Sequence, residues 1–257
     1  MRPQATCLRA MQTDGDMTID KVLAAAVAQL LQIDSAQLDA QLLLASVLGK
    51  SRSWLYAWPE HELTSAQQQA FTALLQQRTD GVPLAYLLGY KEFWNLQLQI
   101  SSAVLIPRPE TELLVELALA QLIDTQARVA DLGTGSGAIA LALASERPQW
   151  HIYATEFSDA ACQIASQNCV QHGFNNITLL QGSWCEPLPA SGFDMIVGNP
   201  PYLAEDDEHL QLGDVRFEPR SALIAGDYGL LDIKLIAQQA WEKLLPGAWL
   251  LLEHGWQ

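Results

Sequence analysis

Ala127-Arg128-Val129-Ala130-Asp131-Leu132-Gly133-Thr134-Gly135-Ser136-Gly137 reads as an apolar strand that runs into a glycine-rich turn, and a helical stretch over 139–144 follows it. Glycines at such a turn let the backbone approach a ligand closely. Nineteen residues after Gly137, Glu156 closes the next strand-like run, where an acid can accept hydrogen bonds from both hydroxyls of a ribose. The pattern then repeats. Strand-like runs fall at 127–132, 151–156, 176–181, 193–198 and 247–253, separated by helical stretches at 139–144, 160–172 and 230–244. Alternation of this kind predicts an α/β fold with a doubly wound, mostly parallel sheet, whose ligands sit at the carboxyl ends of the strands.

The fourth run, Phe193-Asp194-Met195-Ile196-Val197, ends in Asn199-Pro200-Pro201-Tyr202. Two prolines remove two backbone donors and fix two φ angles, so the strand stops and leaves rigid, unpaired carbonyls. Asn199 adds an acceptor and two donors, and Tyr202 a flat apolar face, so the four residues suit a planar amine or amide. First and fourth strands are neighbours in a doubly wound sheet, which predicts that Gly133 to Gly137 and Asn199 to Tyr202 open into one cleft.

The glycine loop admits two cofactors. Gly133, Gly135 and Ala138 satisfy the G-x-G-x-x-A fingerprint of nicotinamide dinucleotides. Gly137 and Asp131 instead complete the G-x-G-x-G loop of S-adenosylmethionine enzymes, where no pyrophosphate has to be held. Asp131 either meets the amino end of methionine or caps the loop. Trp184, after the third strand, is the expected adenine-side wall, with a plain core aromatic as the other reading. Arg216 and Glu218 are expected to form an ion pair in the loop after Tyr202. His254 has no partner in motif spacing and is read as structural.

The 257 residues, 49% of them hydrophobic, suffice for one large domain or two modest ones. With 14 basic against 29 acidic residues the net charge is -15, which disfavours a surface that neutralises many phosphates. Cys7, Cys162, Cys169 and Cys185 form no C-x-x-C pair, and the histidines show no ligand spacing with them, so neither disulfides nor a metal are expected. No signal peptide or membrane span is recognisable, and a cytoplasmic location is the simplest expectation. Residues 1–16 read as a disordered extension, with Met17 an alternative start.

Residues 17–89 read as a helical bundle. Ile19, Val22, Leu23, Ala26, Val27, Leu30 and Leu31 mark one buried face. Leu38, Leu42, Leu43, Val47 and Leu48 mark a second helix, capped at Asp34 or Ser35 and stopped at Gly49. A short piece precedes Pro59, and Thr64-Ser65-Ala66-Gln67 is a capping box. Trp54, Tyr56, Trp58, Tyr86, Phe93 and Trp94 are expected in packing. Residues 90–105 read as a β-hairpin linker. The unit over 106–257 opens with a helix whose first residue is Pro109, whose Glu110 and Glu112 suit the positive dipole end, and whose apolar residues are Leu113, Leu114, Leu117 and Leu122.

The D-L-G-T-G-S-G loop, Glu156 and N-P-P-Y resemble a class I methyltransferase. Together with I-P-R-P-E-T-E over 106–112, G-D-V-R-F-E-P over 213–219 and L-E-H-G over 252–255, they resemble the release factor glutamine methyltransferase family (PrmC/HemK) from about residue 17 to the end. The resemblance implies methyl transfer from S-adenosylmethionine to the side-chain amide nitrogen of the glutamine in the Gly-Gly-Gln motif of peptide chain release factors. It implies that Gly133, Thr134, Gly135, Ser136, Gly137, Glu156, Trp184 and Asn199 line the cofactor site. Asn199, Pro200, Pro201 and Tyr202 would hold the glutamine, with Asn199, Pro200 and Tyr202 catalytic. Many relatives carry aspartate where Glu156 stands, a change of reach rather than role. The expected partner is a protein, met by the helical domain, with no membrane or direct nucleic-acid contact and a monomeric enzyme. A ribosomal-protein glutamine, a nucleic-acid adenine amine and a non-catalytic adaptor are the competing readings. The family fold that the resemblance implies continues into two further strands past residue 257; only if the protein ended there would an uncovered strand edge, with poor solubility or association through it, be expected.

Overall fold

The chain folds as two units, with the boundary between Leu88 and Gly89. The computed structural model describes residues 17–123 and 126–255, and the extension expected over 1–16 lies outside the described residues.

The first unit comprises α1 (Ile19–Gln29), α2 (Ala36–Leu48), α3 (Arg52–Ala57), α4 (Ser65–Thr79) and α5 (Leu84–Leu88). Apolar positions at threes and fours let Ile19, Val22, Ala26 and Leu30 share one core with Leu43, Leu44, Phe71 and Leu75. Full burial of each large side chain contributes about 1.5–3 kcal/mol. The capping box forms: Gln67 N–H donates to Thr64 Oγ1 at 3.3 Å, and Thr64 N–H to Gln67 Oε1 at 2.9 Å. Gly49, at φ 61°, ends α2. Arg78 Nε donates to Asp39 Oδ2 at 2.7 Å inside the unit.

Several expectations for this unit are corrected. Ser35, one of the two expected caps, is the N-cap residue of α2, but its side chain makes no cap bond. Leu31 is 71% exposed because α1 ends before it, and Leu38 is exposed because the buried stripe of α2 runs through Ala36, Ala40, Leu43 and Leu44. Tyr56 and Trp58 are exposed, touching the unit only at its surface: Tyr56 Oη accepts from Gln41 Nε2 at 2.7 Å, and the Trp58 ring lies 6.4 Å from that of Trp54.

The second unit opens with the antiparallel hairpin β1 (Tyr90–Phe93) and β2 (Leu96–Gln99). Phe93 and Leu98 enter the same core as α6 (Thr111–Gln121) and α7 (Ala138–Glu146). Asn168, wholly buried on α8 (Asp159–His172), ties the hairpin to the glycine loop. Its Oδ1 accepts from Gln99 N–H at 2.7 Å, and its Nδ2 donates to Gln99 O at 3.0 Å and to Ser136 O at 2.8 Å.

Helix α6 starts at Thr111, two residues later than expected, because Pro109 and Glu110 form a turn in which Thr111 N–H bonds Arg108 O. Leu114, Val115, Ala118 and Leu122 are buried, whereas Leu113 and Leu117 are exposed. Both pairs, 113/117 and 114/118, have helical spacing, so the pattern alone could not choose between the two stripes.

Strands β3 (Arg128–Leu132), β4 (His151–Glu156), β5 (Ile177–Gln181), β6 (Phe193–Gly198) and β7 (Leu244–Leu252) form one sheet in the order β5-β4-β3-β6-β7, with every pairing parallel. Apolar clusters cover both faces, so the central strands are mostly apolar rather than alternating, with Asp131 a buried exception in β3. Helix α9 (Leu231–Lys243) leads into β7, which starts three residues earlier than expected and bulges around Pro246 and Gly247, pairing Leu244 with Phe193 but Trp249 with Met195. Among the described residues no helix is long and apolar enough to cross a membrane.

Candidate active site

The parallel pairing of β3 with β6 sets Leu132 beside Gly198, so the glycine loop and Asn199 leave the sheet side by side. Gly133, Gly135 and Gly137 have φ of 67°, 56° and 87°, values that favour glycine. A methyl group built on Gly133 would lie 2.9 Å from Cζ3 of Trp184, so the indole closes directly on this turn. Gly137 opens α7 and abuts Leu141.

Two acids hold the loop. Asp131 is fully buried; its Oδ2 accepts from Thr134 Oγ1 at 2.5 Å and from Ala140 N–H at 3.2 Å, while Oδ1 has no partner among the described residues. Burial pushes its carboxyl up to about 6, against the pull of those two donors. Of the two readings of Asp131, the structure displays the loop cap, and Asp131 does not line the cavity. Glu156 Oε2 accepts from Gly135 N–H at 3.0 Å and Oε1 from Ser158 N–H at 2.8 Å. Each carboxylate oxygen keeps capacity for a further donor such as a ribose hydroxyl.

A cavity of about 350 Å³ is lined by Gly133, Thr134, Gly135, Ser136, Glu156, Trp184 and Asn199. Gly137 does not line it, and its place is the start of α7. A second cavity of about 520 Å³ is lined by Tyr202, Leu203, Tyr228 and His254 among others. The two share Leu105, Arg108, Asn199, Pro201 and Ala222, so Asn199 stands in the wall of both. Pro200 is buried and lines neither; no backbone N–H among the described residues bonds its carbonyl. Tyr202 belongs to the second cavity alone. Its phenol is pushed up by burial first and then by the carboxylate of Glu253.

Three features escaped the sequence. Asn199 Nδ2 donates to Oγ1 of the buried Thr111 at 3.2 Å. Arg108 Nη2 donates to Glu218 Oε2 at 2.5 Å, correcting the expected pair of Arg216 with Glu218; the Arg216 guanidinium lies over the Phe217 ring instead. Burial raises the Glu218 carboxyl even though Arg108 pulls it down. Asp232 lines the first cavity together with Trp184, and burial raises its carboxyl. Among the described residues no group of three or more His, Cys, Asp or Glu could hold a metal.

A family model for the PrmC N-terminal domain matches residues 21–89, and one for the methyltransferase small domain matches residues 109–222. A release factor glutamine methyltransferase of Coxiella burnetii is 52% identical over 221 residues, covering 86% of this chain and 79% of that protein. One from Escherichia coli is 50% identical over 235 residues, covering 91% and 85%. One from Xylella fastidiosa is 51% identical over 221 residues, covering 86% and 80%.

Proposed function

This chain belongs to the release factor glutamine methyltransferase family, and on that premise we propose that it transfers a methyl group from S-adenosylmethionine to the side-chain amide nitrogen of the Gly-Gly-Gln glutamine of peptide chain release factors. The carrying observation is Asn199, which borders both cavities and whose Nδ2 is engaged by Thr111, leaving Oδ1 as an acceptor.

The residues present fit this cofactor. A cradle without Cβ atoms at Gly133 and Gly135, an aromatic wall at Trp184 and the Glu156 carboxylate suit an adenosine with free ribose hydroxyls. When bound, S-adenosylmethionine supplies an electrophilic methyl; the amide nitrogen takes it, the carbon–sulfur pair returns to sulfur, and the nitrogen sheds one proton to water.

What the protein must overcome is amide resonance, gauged by a rotation barrier of about 18–20 kcal/mol. Asn199 Oδ1 accepts one amide N–H group, moving density onto nitrogen and aiming it at the methyl; the Pro200 carbonyl, outside both cavity walls but without a backbone donor among the described residues, would take the second only with a shift of the guest or of the turn. Positioning of this kind contributes about 7–11 kcal/mol in favourable cases. Pro201 and Tyr202 complete the wall of the acceptor cavity. The helical unit over 17–89 docks the release factor, and the enzyme works as a cytoplasmic monomer. The net charge of -15 supports a protein rather than a nucleic acid as acceptor.

Incubation with labelled S-adenosylmethionine and, separately, a release factor, a ribosomal protein fraction and DNA, followed by peptide mapping, tests this reading. Label on the release-factor glutamine is expected, and label on any other acceptor overturns it. Asn199→Ala should cut transfer to a small residual turnover while retaining much of the cofactor affinity.

A further inference from the structure

We infer that Thr111 is a positioning residue for this reaction, holding the Asn199 carboxamide with its oxygen toward the acceptor. The inference rests on the methyl-transfer reading of the site. A carboxamide has two nearly isosteric orientations, related by a half-turn of its terminal torsion. In one, Oδ1 meets the N–H groups of a guest amide. In the other, Nδ2 sets donors against donors, and no methyl acceptor can be held. The protein must therefore choose, and the choice cannot come from shape.

Thr111 Oγ1, 3.2 Å from Asn199 Nδ2, supplies the choice by accepting that N–H. Its own place is fixed three ways. It begins α6, whose Leu114, Val115 and Ala118 are anchored in the core. Its N–H bonds Arg108 O at 3.1 Å, and Arg108 is in turn clamped by the buried Glu218. A β-branched side chain restricts χ1, so the hydroxyl does not wander. Thr111 also lines the first cavity, so cofactor, positioning hydroxyl and acceptor carboxamide form one continuous wall.

A residue that only began a helix would affect stability and nothing else. Thr111→Val keeps the shape and removes the acceptor; Thr111→Ser keeps the hydroxyl. One lost hydrogen bond of ordinary strength corresponds to a shift in orientation of roughly fivefold to tenfold. With release factor as substrate, Thr111→Val should lower kcat by about that factor, with equilibrium S-adenosylmethionine binding and the KM for release factor within about twofold. Thr111→Ser should stay within about twofold of the parent throughout. In an Asn199→Ala background, Thr111→Val should cause no further loss of residual turnover, because its effect passes through Asn199. An undiminished kcat in Thr111→Val, an equal fall in both backgrounds, or failure of Thr111→Ser to restore turnover overturns the role of Thr111 alone. Absence of labelled glutamine with the parent protein overturns the methyl-transfer reading and this inference with it.

Discussion

Gly133→Ala puts a methyl group where the indole of Trp184 already lies. The new Cβ would stand 2.9 Å from Trp184 Cζ3, against a comfortable carbon–carbon separation of about 3.5–4.0 Å. Either the loop or the ring must move by about 0.6–1.1 Å. Overpacking of that kind costs about 1–3 kcal/mol. The backbone adds its own cost, because φ at Gly133 is 67° and an L-residue there loses about 1–2 kcal/mol. The total is about 2–5 kcal/mol, a fall in Tm on the order of 10 °C for a unit of this size. Urea unfolding of the parent, Gly133→Ala, Trp184→Ala and the double variant separates the two contributions. With the indole gone, Gly133→Ala should cost only the backbone part, so the cycle should show about 1–3 kcal/mol of coupling. S-adenosylmethionine affinity should fall alongside, since loop and ring wall the same cavity. Equal destabilisation in the Trp184 and Trp184→Ala backgrounds would refute the packing of indole on glycine.

Asp131, with its carboxyl near 6 when folded and 3.8 as the reference, should make the protein gain up to about 3 kcal/mol as pH falls from about 6 to about 4, because the folded state binds the proton more tightly. Asp131→Asn should flatten that slope, and parallel pH profiles for parent and variant would sink the argument. Arg108→Met leaves the buried Glu218 without its counter-charge and should cost about 3 kcal/mol near neutral pH, partly regained on acidification; adding Glu218→Leu should recover most of it. A double variant as unstable as the single one counts against the pair. Thr64→Ala removes one half of the capping box and should cost about 1 kcal/mol in the helical unit by urea denaturation, and an unchanged midpoint would contradict it.

How much was legible in advance depended on distance along the chain. The five strands, their parallel sheet and the neighbourhood of the two loops follow from alternation and from the winding rule, and the capping box is a four-residue signal. Thr111 and Asn199 are 88 residues apart, and Arg108 and Glu218 are 110 apart, so neither pair leaves any local pattern. The pairing expected for Glu218 failed for a related reason. Arg216 is two residues away on the 3-10 turn Val215–Phe217, and residues so spaced do not face each other. In α6 the exposed Leu113 and Leu117 share the helical spacing of the buried Leu114 and Ala118, and only the position of the sheet decides which stripe turns inward. The bulge in β7 needed the partner strand to be seen at all.

The order β5-β4-β3-β6-β7 also has a temporal side. Leu132 and Gly198 touch, but 66 residues separate them in the chain, and β4 and β5 are laid down in between. At typical rates of synthesis that interval is about 3–13 s. During it the emerging chain can already own the glycine loop and Glu156, yet it has no Asn199 to set beside them. Until β6 has been made and pairs with β3, a growing copy therefore lacks the acceptor half of the cleft.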